Sequence, residues 1–420
     1  MLNRASLAAV NADQVRPAYG GYCFAHLPAT VLRLLGAPDR AGALPLPPEA
    51  WDGETGTERV IVCLIDAFGW RLFEEHAEAA PFLREMLAGG VVSQMTSMFP
   101  STTAAHTTCV HTGLPVAASG VHEWFYYEPA VDAVIAPLLF SPAGETERDV
   151  LRRRGITPAQ LFPAQTVYQD LRAAGVPAYA YQSRAYAHSA FSTHVLRGAR
   201  LRPYTTWPEA LTNLRADWEA ARGRAYFFLY FDAIDALSHH YGPASPQVRA
   251  EVRALLHSLD EFLRAASGQP RRTLLLVTAD HGQTTLDPAA AIVLNTLLPD
   301  LPALARPNRR GQPLLFGGSP RDTFLYIRDE HLAEVESRLA RALAGRGVVR
   351  RTADLLADGL FGPPPVSARL LERLGNLVVL PAPGEAVYWL DRSRPEAKYR
   401  GHHGGLTPDE MLVPLLAYRF

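Results

Sequence analysis

Cysteine is scarce in this chain, which argues against a secreted domain held together by disulfides. Only three cysteines occur among 420 residues, and their number is odd. They are widely spaced, and two of them, Cys63 and Cys109, lie in the apolar segments VIVCLID and HTTCVHT, which are typical of a protein core. The simplest interpretation of this pattern is a reduced cytoplasmic protein.

Long hydrophobic runs and an excess of one charge are also absent. Residues 1–21 lack the continuous apolar segment of a secretory signal, and no stretch approaches the roughly 20 apolar residues that cross a bilayer. Lysine and arginine together number 41 and aspartate and glutamate 42, so no net charge favours duplex nucleic acid or a membrane surface as a partner. We therefore expect a small-molecule ligand, and an anionic one would be held by metals or by a few local basic groups.

Apolar runs of strand length alternate with amphipathic stretches of helix length. The run RVIVCLI (59–65) is continuous and rich in β-branched residues, as in a strand covered on both faces. Further strands are predicted at 89–98, 225–231 and 273–280, and helices at 71–88, 103–112 and 245–266. This alternation predicts an α/β/α sandwich with a mostly parallel sheet. In such sheets ligands bind beyond the carboxyl ends of the strands, where Asp66, Asp235 and Asp280 are expected to lie.

The predicted domain organisation follows from where this alternation starts and stops. Residues 1–57 are expected to form an N-terminal extension that packs on the core. Residues 58–304 and 371–420 are expected to form the main α/β domain. Between 305 and 370, the strand-like segment RDTFLYI, an amphipathic helix and the turn FGPPP predict a small α+β insertion, which could act as a lid.

Five short segments carry the side chains on which metal chemistry depends. They are LIDAFGW, FPSTTAAHT, DALSHH, TADHG and GHHGG, and they supply Asp66, Thr103, Asp235, His239, Asp280, His281 and His403. Two metal ions about 4 Å apart, each held by carboxylate and imidazole groups, need such an inventory. The four-residue spacing of Asp235 and His239 lets both side chains reach one ion from a helix. The adjacent Asp280 and His281 can turn both side chains toward another ion.

These motifs, in this order, resemble those of the alkaline phosphatase superfamily, most closely its type I phosphodiesterase/nucleotide pyrophosphatase branch. The resemblance covers residues from about 58 to 290 and from about 398 to 416. It implies an alkaline-phosphatase-like fold and two divalent metal ions, with Zn²⁺ as the usual ion and Mn²⁺ as the alternative. It further implies two ligand sets: Asp66, Thr103, Asp280 and His281 for the first ion, and Asp235, His239 and His403 for the second.

The resemblance also implies the nucleophile. In this family it lies three residues after the proline of the Phe-Pro-Ser segment, which selects Thr103 over Ser101 and Thr102. Attack by Thr103 would give a phospho-threonine intermediate, which water activated at the second metal then hydrolyses. A threonine hydroxyl is a poor nucleophile, so coordination must lower its pKa. A helix start at Thr103 would add backbone N–H groups and a positive dipole end beside the phosphoryl oxygens.

The sequence departs from the family pattern three residues after the nucleophile. The family has an asparagine there that helps to bind a phosphoryl oxygen, whereas this chain has His106. An imidazole can donate the same hydrogen bond, or carry a positive charge that favours a dianionic monoester. We therefore predict that His106 binds the substrate.

The expected substrate is a small phosphodiester or a nucleotide with a pyrophosphate bond, and several alternatives stay open. One is a phosphomonoesterase or a mutase-like enzyme of the same superfamily. A less favoured one is a non-catalytic binding protein on the same scaffold. The chain contains no Cys-x-Pro-x-Arg segment, which argues against the sulfatase branch.

Overall fold

A seven-stranded sheet forms the centre of the computed structural model, which describes residues 1–7, 14–266, 268, 272–390 and 397–420. Across the sheet the strands are Val91–Thr96, Leu412–Arg419, Thr273–Thr278, Arg59–Ile65, Ala225–Phe231, Ala178–Ser183 and Arg200–Tyr204. Only Leu412–Arg419 runs antiparallel to its neighbours. The prediction of an α/β fold with a mostly parallel sheet is thus confirmed.

The register of the central strands brings their carboxyl ends to one edge. The strand Arg59–Ile65 is buried along its whole length and pairs in parallel with a strand on each side. Ile65 lies opposite Phe231, and Leu64 lies opposite Thr278. Residues that directly follow these three strands therefore meet at the same edge, which is where ligands of parallel sheets bind.

Two groups of helices accompany the sheet, and within each group the helices pack against one another. One group contains Pro81–Gly89, Trp207–Ala220, Ala233–Tyr241 and Pro246–Ala266, and the other contains Leu27–Leu34, Thr103–Thr112, Val167–Ala173 and Ala190–Val195. The remaining α-helices are Trp70–His76, Val116–Ser119, Val150–Arg153, Pro158–Leu161, Leu294–Leu297, Leu301–Leu304, Leu332–Ala342, Thr352–Ala357, Ala368–Arg373 and Pro408–Met411. Short 3₁₀ helices occupy Arg4–Leu7, Phe24–His26, Pro48–Ala50, Pro288–Ala290 and Asp329–His331.

Proline and glycine set several helix boundaries. The predicted helix at 71–88 is two helices, Trp70–His76 and Pro81–Gly89, because Pro81 occupies the first turn of the second. The predicted helix at 103–112 has the expected bounds and ends at Gly113, whose φ of 68° lies in the left-handed region that favours glycine. No helix in the described part of the chain combines the length and apolar sequence that a bilayer span requires.

A four-stranded antiparallel sheet, here called the small sheet, forms a second layer with its own apolar core. Its strands, in spatial order, are Phe316–Gly317, Thr323–Leu325, Leu377–Pro381 and Gly347–Arg351. Buried leucines and valines, among them Val335 and Leu339 of the helix Leu332–Ala342, pack against it. The predicted insertion at 305–370 ends before the strand Leu377–Pro381. That apolar run pairs with strands on both sides, so the small sheet extends past residue 370.

Smaller sheets and the N-terminal residues complete the structure. Two-residue pairs join Thr284–Thr285 to Gly401–His402 and Ile292–Val293 to Val387–Tyr388, and a three-stranded sheet contains Tyr126–Glu128, Ala133–Ala136 and Ser141–Pro142. Phe24, Leu27 and Val31, from the predicted N-terminal extension, are buried in the main core. Residues 8–13 of that extension and 391–396 of the predicted α/β domain lie outside the described residues. All three cysteines are buried and free.

Candidate active site

The seven predicted metal ligands lie at the carboxyl edge of the central sheet, where six of them form two clusters and the seventh, Thr103, lies beside the first. In the first cluster, formed by Asp66, Asp280 and His281, one ligand atom from each residue lies within 4.8 Å of the others. In the second, formed by Asp235, His239 and His403, the ligand atoms meet the same limit. The rings of His281 and His403, one from each cluster, stack with centroids 3.6 Å apart. The two clusters are therefore adjacent.

Short distances join the first cluster to Thr103. The Thr103 hydroxyl lies 3.2 Å from His281 Nε2 and donates to Asp66 Oδ2 at 3.4 Å. His281 Nε2 in turn lies 3.5 Å from Asp66 Oδ1 and 3.5 Å from Asp280 Oδ2. Strand ends hold both carboxylates in place, because Asp66 follows Arg59–Ile65 and Asp280 follows Thr273–Thr278.

A helix and a C-terminal loop form the second cluster. Asp235 and His239 are one turn apart in the helix Ala233–Tyr241, with His239 Nε2 3.4 Å from Asp235 Oδ2. His403 follows the short strand Gly401–His402, and its Nε2 lies 3.6 Å from Asp235 Oδ1. Asp235 therefore lies between the two imidazoles, so one cation could be bound by all three side chains.

Hydrogen bonds to the main chain fix the orientation of all three histidines. The Nδ1 atoms of His281, His239 and His403 lie 3.1 Å from Gly282 O, 2.9 Å from Gly401 O and 2.8 Å from Ser101 O. Because a carbonyl oxygen only accepts, each Nδ1 must carry a proton, and each Nε2 keeps a lone pair in the neutral ring. This is the arrangement by which backbone carbonyls orient metal-binding histidines.

Two carboxylate oxygens of the first cluster lack a hydrogen-bond partner, as expected where a metal ion binds. Asp66 Oδ1 and Asp280 Oδ2 are buried without a hydrogen-bond partner. Burial raises the pKa of Asp280 to about 7, and Asp235 adds to the rise. Burial also raises the pKa of Asp66 well above its usual value, with a further contribution from Asp280. A divalent cation would satisfy both oxygens and stabilise the charged carboxylates, so these residues fit a metal.

Local structure distinguishes Thr103 from the two hydroxyl residues before it. Thr103 is the first residue of the helix Thr103–Thr112, so the first-turn N–H groups and the positive end of the helix dipole lie beside its hydroxyl. The Ser101 hydroxyl instead donates to Gly405 O at 2.9 Å and so holds the loop that carries His403. The Thr102 hydroxyl lies beside the Glu123 carboxyl. Thr103 is the one of the three whose hydroxyl contacts the first cluster.

A cavity of about 250 Å³ opens beside Thr103 and the second cluster. Its walls include Thr103, Asp235, His239 and His403. Burial lowers the pKa of His403 to about 4, so its ring is neutral near pH 7 and can offer Nε2 to a cation. The site therefore combines an accessible hydroxyl with two sets of metal-binding groups.

The structure does not support the predicted role of His106 in substrate binding. The side chain is fully buried, and both ring nitrogens are engaged away from the cavity. Nδ1 donates to Thr102 O at 2.7 Å, and Nε2 accepts from the Met98 N–H at 2.9 Å and lies 2.8 Å from Ser97 Oγ. Burial lowers the pKa of His106 to about 3, so it carries no charge near neutrality. His106 instead ties the helix of Thr103 to the preceding loop.

Two residues beside the site were not predicted from the sequence. Gln283 Nε2 donates to Asp235 Oδ1 at 2.5 Å, and the Tyr230 hydroxyl donates to Asp66 Oδ2. Gln283 lies two residues after His281, so its position beside the TADHG motif could have identified it as a neighbour of the site. Tyr230 belongs to the apolar strand Ala225–Phe231, where the sequence offers no such signal.

Residues 60–406 match the model of the type I phosphodiesterase / nucleotide pyrophosphatase family. The chain belongs to that family and is thus a hydrolase of phosphate esters.

Solved structures show the same fold. Murine ectonucleotide pyrophosphatase / phosphodiesterase 5 superposes with a TM-score of 0.63 at 17% identity, over 86% of this chain and 87% of that one. An inactive threonine-to-alanine variant of the murine protein in complex with AMP gives 0.64 at 17% identity, over 86% and 88%. The human counterpart gives 0.62 at 15% identity, over 86% and 87%. No curated protein sequence matches the chain.

Proposed function

We propose that this protein cleaves a phosphodiester or nucleotide pyrophosphate bond through a phospho-threonine intermediate on Thr103, with two divalent cations as cofactors. The observation that carries the proposal is the position of the Thr103 hydroxyl. It contacts the first cluster and faces the same cavity as the second. A nucleophile beside one metal-binding group, with a second group across the cavity, suits in-line displacement at phosphorus.

The side chains divide the work of the two steps. In the first, Thr103 Oγ1 attacks phosphorus and the bond to the leaving oxygen breaks, so the phosphoryl group is transferred to Thr103. In the second, water attacks the same phosphorus, the bond to Oγ1 breaks, and the free hydroxyl is restored. The first-turn N–H groups of the helix Thr103–Thr112 stabilise the phosphoryl oxygens in both steps. Divalent cations, when bound, supply the positive charge that stabilises the nucleophile and the leaving oxygen.

The donor set favours zinc. Both clusters combine carboxylate with imidazole, and nitrogen and oxygen ligands in small sets are typical of Zn²⁺ sites. Mn²⁺ is the alternative, because it also accepts carboxylate and imidazole ligands. We propose the first cluster with Thr103 for one ion, and the second cluster for the other.

A small nucleotide or another small phosphodiester is the proposed substrate, and the cytoplasm is the proposed location. The murine relative was solved with AMP, and its inactive form lacks a threonine, which supports the choice of both ligand and nucleophile. The alternative of a monoesterase had rested on a charged His106. That residue is buried, neutral and hydrogen-bonded elsewhere, so no observation now favours the alternative.

Product analysis tests the proposal. The Zn²⁺- or Mn²⁺-loaded protein is expected to hydrolyse bis-p-nitrophenyl phosphate faster than p-nitrophenyl phosphate. In ¹⁸O-labelled water the label should enter the released phosphate ester, and rapid acid quenching should trap a p-nitrophenyl phosphoryl group on Thr103 that mass spectrometry detects. A tenfold preference for the monoester would contradict the diesterase assignment. Phosphoryl transfer without incorporation of label would indicate a mutase instead.

A further inference from the structure

One histidine of the five motifs lies beside the metal-binding clusters without belonging to them. The segment GHHGG carries two adjacent histidines, and His403 belongs to the second cluster whereas His402 belongs to neither. His402 nevertheless lines the cavity that opens beside Thr103. A histidine in a ligand-binding cavity that is not part of a metal cluster is a candidate for contact with the substrate itself.

The surroundings of His402 hold its ring in one place. The residue belongs to the short strand Gly401–His402, where it lies opposite Thr284 of the neighbouring strand. Only 8% of the residue is exposed. Its ring meets the ring of His239 edge to face, with centroids 4.6 Å apart, and that of Tyr399 at 5.3 Å. A ring packed in this way keeps its orientation when a ligand binds, so its polar atoms are preorganised.

The two ring nitrogens of His402 differ in their contacts. Nδ1 is engaged by the main chain of His403, with the amide nitrogen at 2.9 Å and the carbonyl oxygen at 2.8 Å. Within the described part of the chain, Nε2 has no hydrogen-bond partner, and unlike the ring nitrogens of His122 it is not completely buried. Nε2 is therefore the one nitrogen of His402 that can contact a ligand in the cavity.

Tyr399 provides a second polar atom on the same wall of the cavity. Its ring packs against that of His239, with centroids 5.1 Å apart, as well as against that of His402, and it also lines the cavity. No hydrogen bond to another described residue engages its hydroxyl, which is not completely buried. The wall next to the second cluster thus offers the ligand an imidazole nitrogen and a phenol hydroxyl.

A hydroxyl group matches these two polar atoms better than a phosphoryl oxygen does. A hydroxyl both donates and accepts, so it can pair with Nε2 in either neutral tautomer of the imidazole, and with a phenol as well. A phosphoryl oxygen only accepts. In the proposed reaction it is already held by the cations and by the N–H groups at the start of the helix Thr103–Thr112. His402 and Tyr399 are therefore left to the alcohol part of the substrate.

We propose that His402 and Tyr399 bind a hydroxyl on the alcohol part of the phosphoester. They would select substrates whose alcohol is a polyol, such as a ribose or a glycerol unit, over alcohols without further hydroxyls. The inference rests on the proposed function, because it assigns one part of that substrate to one wall of the same cavity. A ligand without the hydroxyl displaces water from Nε2 and gives it no partner, which lowers affinity more than the lost contact alone.

Calorimetric titration measures this selection without turnover. Zn²⁺-loaded Thr103→Ala protein is titrated with two matched pairs of phosphate esters: glycerol 1-phosphate against propyl phosphate, and AMP against 2′,3′-dideoxy-AMP. We expect the hydroxylated ester of at least one pair to bind about tenfold more tightly than its partner. A difference in the glycerol pair alone would identify a glycerol unit as the group bound, and a difference in the AMP pair alone would identify ribose.

Variants at the wall, made in the Thr103→Ala protein, locate the hydrogen bonds. His402→Asn keeps a polar atom at the position of Nδ1 but loses Nε2, so the preference for the hydroxylated ester should fall about fivefold or more. His402→Gln places a polar atom near the position of Nε2 and should retain most of the preference. Tyr399→Phe loses only the hydroxyl and should lower the preference about threefold. A matched control, His240→Asn, changes the exposed histidine next to His239 and should leave the preference as it was.

Equal affinities within both ester pairs would overturn the proposal, as would a preference that His402→Asn leaves unchanged. Loss of zinc from His402→Asn, measured by mass spectrometry, would also overturn it, because His402 would then support the second cluster instead of the substrate. Phosphodiester cleavage is tested separately by turnover of the wild-type protein. A protein that shows the hydroxyl preference but cleaves no diester would contradict only the proposed function. One that cleaves diesters without the preference would contradict only the role of His402 and Tyr399.

Discussion

The two metal-binding clusters differ in burial and in what holds them. The exposed fractions of the first-cluster side chains are 0% for His281, 3% for Asp66 and 0% for Asp280. In the second cluster they are 19% for His239, 17% for Asp235 and 8% for His403. Strands of the central sheet end at the carboxylates of the first cluster, whereas a helix and a C-terminal loop carry the second. The Thr103 hydroxyl, the proposed nucleophile, therefore lies beside the more buried cluster, and the more exposed cluster lines the cavity.

Removal of the proposed nucleophile should have the largest effect on activity and should leave metal binding intact. Thr103→Ala is expected to lower kcat for a phosphodiester by at least about 10³-fold, because water must then attack without covalent catalysis. Both metal ions should remain, since carboxylates and imidazoles still hold them. Thr112→Ala, the same substitution at the far end of the same helix, should retain activity. Hydrolysis by Thr103→Ala at the wild-type rate would disprove the nucleophile assignment.

Loss of the Asp235 carboxylate should weaken metal binding only at the second cluster, which is the more exposed one. Asp235→Asn is expected to reduce the metal content from two ions to one and to lower activity roughly 10²-fold, because Asp235 lies between both imidazoles. The remaining ion should resist chelators better than the lost one did, since its ligands are buried. Metal analysis by mass spectrometry during EDTA treatment measures both. If EDTA removed the ion of the first cluster as fast as that of the second, burial would not determine how tightly the two clusters hold their ions.

Substitution of Gln283 should perturb the second cluster less than loss of Asp235 does. Gln283→Leu removes the hydrogen bond that orients Asp235 but leaves all metal ligands in place. We expect about a tenfold loss of affinity for the second ion and an unchanged affinity for the first. Competition with a zinc-binding dye gives the two constants separately. An equal loss at both clusters would show that Gln283 supports the fold in general.

The smallest effect on activity is expected at His106. His106→Asn should change kcat/KM less than threefold, because the imidazole does not face the cavity. It should lower the free energy of unfolding by about 1–3 kcal/mol, since buried partners such as the Met98 N–H lose their acceptor. Kinetics and denaturant titration of the same variant test both. A tenfold loss of activity without loss of stability would restore the predicted contact with substrate.

The buried strand and the candidate ligands could be predicted from the sequence because each is encoded in a short, local pattern. The run RVIVCLI is continuous and apolar, so its place inside a parallel sheet follows from pattern alone. The ligands follow each other in a fixed order of short motifs, and the structure brings all of them together. His106 could not be predicted in this way, because the direction of its ring depends on Met98 and Thr102 in the folded loop.

Other features depend on contacts between distant segments. The strand Leu377–Pro381 belongs to the small sheet because it pairs with Thr323–Leu325 and Gly347–Arg351, and no local pattern identifies its partners. The start of the helix Pro81–Gly89, by contrast, could have been predicted from the sequence, because proline favours the first turn of a helix. The continuous helical pattern at 71–88 led to the prediction of one helix instead of two.

The antiparallel strand Leu412–Arg419 couples the closure of the central sheet to the assembly of the second cluster. It lies between Thr273–Thr278 and Val91–Thr96, and the sheet stays divided until it is inserted. His403 reaches the second cluster from the segment just before it. Pairing of this strand therefore closes the central sheet and brings His403 to the second cluster in the same event. Loss of the strand would open the sheet and leave Asp235 and His239 without their third neighbour.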